Sequence, residues 1–257
     1  MSRVLGDITR GTTNPNRLRR VDRWILHQVC STIRGCDGAT SDPVVVDLGY
    51  GATPITTVEL YDRWAKHVRP DVEVVGIEID PERVSQAQPY VKKNLSFIHG
   101  GFEIPLPDGK SPIAIRASNV LRQYDEEQVR QAWSQMTSRL APNGYLVEGT
   151  CDEIGRRSTW VSLRSGQSVP ESFSISVHVD SLEKPSDIAP RLPKALIHRN
   201  VPGEAIYEFL QEFDRAWNLH AGLIPFGARQ RWVSSVESLV EQGYSVWDNK
   251  TRWRLLP

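Results

Sequence analysis

Cysteine is scarce in this 257-residue chain, with Cys30, Cys36 and Cys151 as the whole complement. An odd count without a Cys-x-x-Cys pair speaks against a disulfide framework and a zinc site alike, so no metal is expected. Unpaired thiols suit a reducing cytoplasm. Long hydrophobic runs are missing too: no apolar stretch approaches the ~20 residues that cross a bilayer. The first seven residues are too polar for a secretory signal. The expectation is a cytoplasmic protein with no membrane partner. Neither sign of charge is in surplus, since Lys+Arg and Asp+Glu both number 31. That balance disfavours a protein that coats nucleic acid, although a local basic patch could still grip phosphate. Internal repeats and low-complexity segments are also absent.

What is present is an alternation of short apolar runs and helical patterns, the sign of a parallel sheet built from βαβ units. Residues 43–48 read as a buried strand because their valines are consecutive. A helix follows, with Thr53 as N-cap, Pro54 at the first helical position and Ile55, Val58, Tyr61, Trp64 and Val68 as its apolar stripe. Residues 72–79 form a second strand, and Asp80-Pro81 opens a second helix. Short strands at 95–99 and 113–117 precede a helix over 125–140, whose Asp125 and Gln128 have capping-box spacing. Residues 145–150 are a fifth strand.

The second half is less regular. Strands at 158–164 and 172–179 read as a hairpin, and a Pro-rich connection follows. Two amphipathic helices come next, one with Ile206, Phe209, Leu210, Phe213 and Trp217, the other with Trp232, Val233, Val236, Leu239 and Val240. Before the first strand, residues 17–33 form a basic helix with Leu18, Val21, Ile25, Val29 and Ile33 inside. The predicted organisation is therefore a basic helical arm (1–42), a Rossmann-like core (43–150), an insertion (151–227), and a last helix and strands completing the core (228–257). The fold class is α/β: a mostly parallel sheet flanked by helices, with an antiparallel strand near the C-terminus and an inserted hairpin and helical region.

The chemistry concentrates at Asp47-Leu48-Gly49-Tyr50-Gly51. A strand ending in an acid and running into Gly-x-Gly lets the backbone approach a ligand as it turns into a helix. Thr53 and Pro54 stand where a third glycine would be, so the dinucleotide fingerprint is not met, and no Gly-Lys-Ser/Thr makes a P-loop. At βαβ distance beyond the glycines, Glu78 ends the next strand, where a carboxylate accepts hydrogen bonds from ribose hydroxyls.

These segments, with Val75-Gly76-Ile77-Glu78-Ile79-Asp80-Pro81, Phe97-Ile98-His99-Gly100-Gly101-Phe102-Glu103 and Leu140-Ala141-Pro142-Asn143-Gly144-Tyr145-Leu146-Val147, fall in the order and spacing of a known family. Over residues 43–150 the chain resembles the class I S-adenosylmethionine-dependent methyltransferases. It is also similar to a group of actinobacterial members in the stretches 116–124 and 148–153. The resemblance implies that Asp47, Gly49, Tyr50 and Gly51 form the loop against the methionine portion of S-adenosylmethionine. It implies further that Glu78 binds the ribose, Ile79 covers the adenine, Gly101 and Phe102 lie at the adenine edge, and Asn119 and Val120 line the cofactor below strand four. S-adenosylhomocysteine would be the product. Gly101 stands where many relatives have an Asp that accepts from the adenine amino group, which leaves that role to backbone groups, His99 or Glu103.

Methyl transfer needs alignment more than a catalytic side chain, so no catalytic residue is assigned. Candidates for acceptor contact project from strand ends: Arg122 and Tyr124 after strand four, Cys151 and Asp152 after strand five, with Glu148 and Glu153 nearby. Asp152 also suits a turn cap. The amino-methylating Asn-Pro-Pro-Tyr motif is missing, and the cysteines lack the arrangement of cytosine-C5 enzymes, although Cys151 stays open as a nucleophile. Three readings follow: a methyltransferase for a small-molecule acceptor; an RNA methyltransferase using Arg17, Arg19 and Arg20; and a non-catalytic cofactor-binding or interaction protein.

Overall fold

A computed structural model describes residues 4–34, 43–107, 109–248 and 253–255. Cys36 lies outside these residues, as do the side chains of Val29, Cys30 and Ile33. The first half runs α1 (Arg19–Arg34), β1 (Val44–Leu48), α2 (Ile55–His67), β2 (Glu73–Glu78), α3 (Pro81–Ala87), β3 (Leu95–His99), β4 (Ala114–Ser118), α4 (Glu126–Arg139) and β5 (Tyr145–Cys151). The second half adds β6 (Arg157–Arg164), β7 (Ser172–Val177), α5 (Lys194–Ile197), α6 (Ala205–Leu219), α7 (Ala228–Glu241), β8 (Val246–Asp248) and β9 (Trp253–Leu255).

Among the described residues, nine strands join one sheet in the order β3-β2-β1-β4-β5-β6-β7-β9-β8. The first five are parallel, with Val46 paired to Val75 on one side and Ile115 on the other. This is the Rossmann-like sheet expected of the sequence. Its chain direction switches between β1 and β4, and open α/β sheets bind ligands in the crevice at the strand C-termini there. From β6 onward every pairing is antiparallel, which brings the antiparallel portion in earlier than a single strand near the C-terminus. The cause is local: only five residues separate Cys151 from Arg157, far short of the dozen or so that a parallel crossover needs. The hairpin read as an insertion thus extends the main sheet.

Local signals operate as expected at two helix starts. Asp80 accepts from the Glu82 N–H at 2.9 Å, and Asp125 and Gln128 form a reciprocal capping box. At α2 the buried face is turned part of the way from the expected stripe, whose Trp64 is fully buried and whose Val58, Tyr61 and Val68 pack on the rim of the core. Its buried residues are Thr56, Thr57, Leu60 and Trp64, whereas Ile55, Val58, Tyr61 and Val68 are only half-buried, and Pro54 rather than Thr53 holds the cap position. The helix is rotated because polar groups need its inner face. Thr57 donates to Asp47 at 2.7 Å, and the Thr56 carbonyl accepts from Arg116. In α7, Trp232, Val236 and Leu239 are buried while Val240 is exposed.

Beneath the β1–β4 crevice lies a buried ionic network. Arg116, wholly inaccessible, holds Asp47 with both Nε (2.9 Å) and Nη2 (2.6 Å), and gives Nη1 to Asp22 of α1. Asp22 also pairs with Arg63 of α2 at 2.6 Å. Burial alone would lower the Arg116 pKa, but the carboxylates of Asp22 and Asp47 outweigh it and the net shift is upward. One apolar layer packs α1 and α2 on the sheet around Ile25, Leu60 and Trp64, and a second packs α4 around Val129, Trp133 and Met136. A third, around Phe213, Trp217 and Trp232, joins α6 to α7. No described helix is long and apolar enough to cross a membrane.

Candidate functional site

A cavity of about 400 Å³ opens at the C-terminal ends of β1 and β4. Of the residues the sequence singles out, it brings together Asp47, Gly49, Tyr50, Gly51, Asn119, Val120 and Arg122. The glycine turn is backbone-driven. Gly49 and Gly51 have φ of 69° and 86°, a region side chains resist. A Cβ at Gly49 would stand 2.6 Å from Val120 Cγ2. Asp47 lies at the cavity floor with its carboxylate committed to Arg116 and Thr57. Tyr50 is buried, its ring edge-on to Phe97 at 5.4 Å. Among the described residues, no cluster of three metal-ligating side chains occurs.

Glu78 stands at the expected strand end but is buried behind the glycine turn. One carboxylate oxygen accepts from the Gly51 N–H at 2.9 Å and the other from the N–H groups of Ile79 and Asp80. Arg83 lies 3.6 Å away. The strand-two acid and the glycine turn are therefore joined directly.

Glu78, Ile79, Gly101 and Phe102 do not reach the cavity, because the N-terminal segment crosses them. The Phe102 N–H donates to the Leu5 carbonyl at 2.9 Å, and the Leu5 N–H donates to Glu103 Oε2 at 2.8 Å. Gly101 has no room for a side chain: a Cβ there would fall 1.9 Å from the Leu5 carbonyl oxygen. Farther along, Asp7 N–H donates to the Tyr124 hydroxyl, Arg83 donates to the Thr9 carbonyl and Ala52 N–H donates to the Gly11 carbonyl. Leu5 thus sets a donor and an acceptor side by side against Glu103 and Phe102, with the Gly6 backbone beside Ile79 and the Phe102 ring. No local pattern in residues 4–13 announces this contact.

The remaining candidates divide. Asn119, at φ 61°, accepts from the Cys151 N–H at 3.0 Å and gives its amide to Cys151 Sγ at 3.2 Å, tying the ends of β4 and β5. Burial pushes the Cys151 thiol upward in pKa. Asp152 accepts from the N–H groups of Ile154, Arg156 and Arg157 and so caps the β5–β6 turn. Tyr124 packs its ring on Phe102 at 5.4 Å. Arg122 reaches the cavity, as do Glu153 and Arg191. Arg191 carries no signal in its own neighbourhood of sequence; only the fold delivers it.

The RNA reading loses its arginines. Arg17 is buried and donates to the carbonyls of Thr12, Cys151 and Asp152. Arg20 donates to Ser176 Oγ and the Val177 carbonyl. Of the three, only Arg19 is exposed.

No family model matches the chain, and no curated protein matches it. Among solved structures it is similar to the N-methyltransferase NodS from Bradyrhizobium japonicum WM9, at 21% identity over 51% of this chain and 66% of that one, with a TM-score of 0.36. NodS is also known in complex with S-adenosyl-L-homocysteine. The YcgJ protein from Bacillus subtilis matches at 22% identity over 48% of this chain and 50% of that one, TM-score 0.33. LepI, in complex with SAM, matches at 15% identity over 47% and 30%, TM-score 0.38. The chain thus spans 30% to 66% of the length of these structures. Such likeness concerns fold, and function must be argued from the site's own residues.

Proposed function

We propose that this chain binds S-adenosylmethionine across the β1–β4 crevice and transfers its methyl group to a small molecule. The observation that carries the reading is the direct hydrogen bond from Gly51 N–H to Glu78, which unites the glycine turn and the strand-two acid beside an open cavity. The residues present fit the cofactor. The cavity bordered by Gly49, Gly51, Asn119 and Val120 suits the methionine portion. Glu78, Ile79, Phe102 and Glu103 suit the nucleoside once residues 5–9 withdraw. Glu103, which already accepts from an N–H donor, takes the role left open by Gly101.

When bound, the sulfonium supplies a methyl group already activated toward attack and leaves as a neutral thioether. The chain's part is alignment and exclusion of water. Gly49 and Val120 set the turn's close approach, the Asn119–Cys151 bonds fix the floor between β4 and β5, and the segment 9–13 roofs the cavity. Holding reactants in near-attack geometry can contribute on the order of 7–11 kcal/mol.

A second reading, a non-catalytic protein, draws on one specific observation: Leu5 already satisfies Phe102 and Glu103. Calorimetric titration with S-adenosylhomocysteine separates the two, using the full chain, a chain lacking residues 1–9, and Gly49→Ala and Glu78→Gln variants. Binding that weakens at least about tenfold in both variants supports the cofactor site. Absence of binding in both the full and the shortened chain overturns it. Binding without transfer of labelled methyl to any component of a metabolite extract moves the second reading to the front.

A further inference from the structure

The cavity gathers more positive charge than its framework uses. Arg10, Arg17, Arg122 and Arg191 line it, facing two carboxylates, Asp47 and Glu153. Asp47 is already held by Arg116, and Arg17 is committed to three backbone carbonyls. Arg122 and Arg191 are different. Arg122 is exposed and gives one Nη1–H to the Pro190 carbonyl at 3.2 Å. Arg191 stands 3.6 Å from Glu153, a carboxylate that is mostly in solvent. A guanidinium carries five N–H donors in a planar fork, so most donors of this pair are uncommitted. Partial desolvation of its guanidinium, and then the like charge of Arg191, lower the pKa of Arg122, with Glu153 among the groups opposing them.

These two arginines come from distant parts of the chain, one in the turn after β4 and the other at the end of the Pro185–Arg191 turn. They converge on the cavity that Gly49, Gly51 and Asn119 also line. Resting on the methyltransferase reading of that cavity, we propose that the methyl acceptor is a small anion whose carboxylate or phosphate group is held by Arg122 and Arg191. Paired forks favour planar, two-point recognition of such groups, which a lysine pair would not reproduce. The acceptor atom then lies on the remainder of the molecule, toward the glycine turn. A nucleic-acid phosphate fits less well, because residues 9–13 wall the cavity and Arg17 and Arg20 are engaged elsewhere.

The test titrates the full chain with inorganic phosphate and, separately, with succinate, by calorimetry and thermal shift. Each titration is run with and without saturating S-adenosylhomocysteine, so that in one arm the cofactor's own carboxylate is already seated. Native protein is compared with Arg122→Gln/Arg191→Gln and Arg122→Lys/Arg191→Lys, whose folding is checked by circular dichroism. The expected result is binding of at least one probe in the cofactor-saturated protein. That binding should weaken about tenfold or more in the Gln pair and recover partly in the Lys pair, while S-adenosylhomocysteine affinity stays within about twofold. The choice between phosphate and succinate identifies the anion.

Equal probe binding in native protein and the folded Gln pair overturns the proposal, as does no probe binding in native protein. Loss of probe binding on saturation assigns the arginines to the cofactor's carboxylate and also overturns it. Binding of single-stranded RNA that depends on the pair, without binding of either small anion, would replace it with the RNA reading. Arginine-dependent anion binding in a protein that never binds S-adenosylhomocysteine upholds the anion site and removes the methyltransferase reading instead.

Discussion

The carbonyl of Leu5 accepts the backbone N–H of Phe102 at 2.9 Å, across nearly a hundred residues of sequence. With the neighbouring bond from Leu5 N–H to Glu103, it closes the groups that the proposed function gives to an adenine edge. On that proposal, docking of the arm and binding of the nucleoside are mutually exclusive at this point. Each bond contributes roughly 1 kcal/mol net, and a closed population reduces apparent affinity by its share. Removing residues 1–9 should raise S-adenosylhomocysteine affinity roughly tenfold. Gly6→Val, at a φ of 130° with a Cβ only 3.3–3.4 Å from Tyr124, Ile79 and Phe102, should do the same in a full-length chain. Calorimetry measures both. Weaker binding in each variant would mean that the arm completes the site instead of blocking it.

Glu148 points to a pH effect on stability. It is fully buried in β5, one carboxylate oxygen lacks a partner, and burial pushes its pKa up to about 8, offset only in part by Trp133. The folded protein thus holds a proton that the unfolded chain releases near pH 4.5. Stability is unaffected by this group below that point and falls as pH rises through the window toward 8, by about 3 kcal/mol at pH 7. Glu148→Gln should melt higher than native protein at pH 8 and equally at pH 4. A native melting temperature that rises across this window, with no benefit from Gln, would contradict the assignment.

Much of the parallel half was legible because its signals are local. Consecutive valines in β1, the Asp80 cap and the Asp125–Gln128 box each act within one turn or strand. The failures are long-range. The α2 face turns away from its apolar stripe because Thr56 and Thr57 answer to Arg116 and Asp47, which periodicity cannot see. Glu78 ends its strand as the sequence indicates, yet its carboxylate faces the glycine turn, where Arg83 and Gly51 converge on it. Arg191 and Leu5 reach the site only through tertiary packing.

Arg116 tests how strongly the floor of the site depends on paired charge. Replacing it by Leu leaves Asp47 and Asp22 facing each other, buried, with Arg63 as the remaining close cation. Breaking a buried pair by removing one partner costs about 3–5 kcal/mol. Arg116→Leu should therefore lose that much in urea denaturation, and Arg116→Leu/Asp22→Asn should recover part of it. A single variant of near-native stability would show that the network is not holding β1 to α1.

Cys151 is bonded to Asn119 of the cavity lining, and its geometry argues against a nucleophile. Only 1% of the residue is accessible. Its backbone N–H and Sγ are both engaged by Asn119, and burial raises the thiol pKa. Thiolate is the reactive form, so a raised pKa and a closed surface both slow attack. At pH 7.5, iodoacetamide should label Cys151 on the order of a hundredfold more slowly than a free thiol, with peptide mapping scoring Cys30 and Cys36 separately. Cys151→Ala should keep S-adenosylhomocysteine affinity within about twofold, since no cofactor contact is assigned to the sulfur. Asn119→Ala should weaken it further than Cys151→Ala does, because the side-chain oxygen that anchors the end of β5 is lost along with the donor to sulfur. Rapid stoichiometric labelling of Cys151, blocked by S-adenosylhomocysteine, would restore the thiol as a participant and place the acceptor's attack at the end of β5.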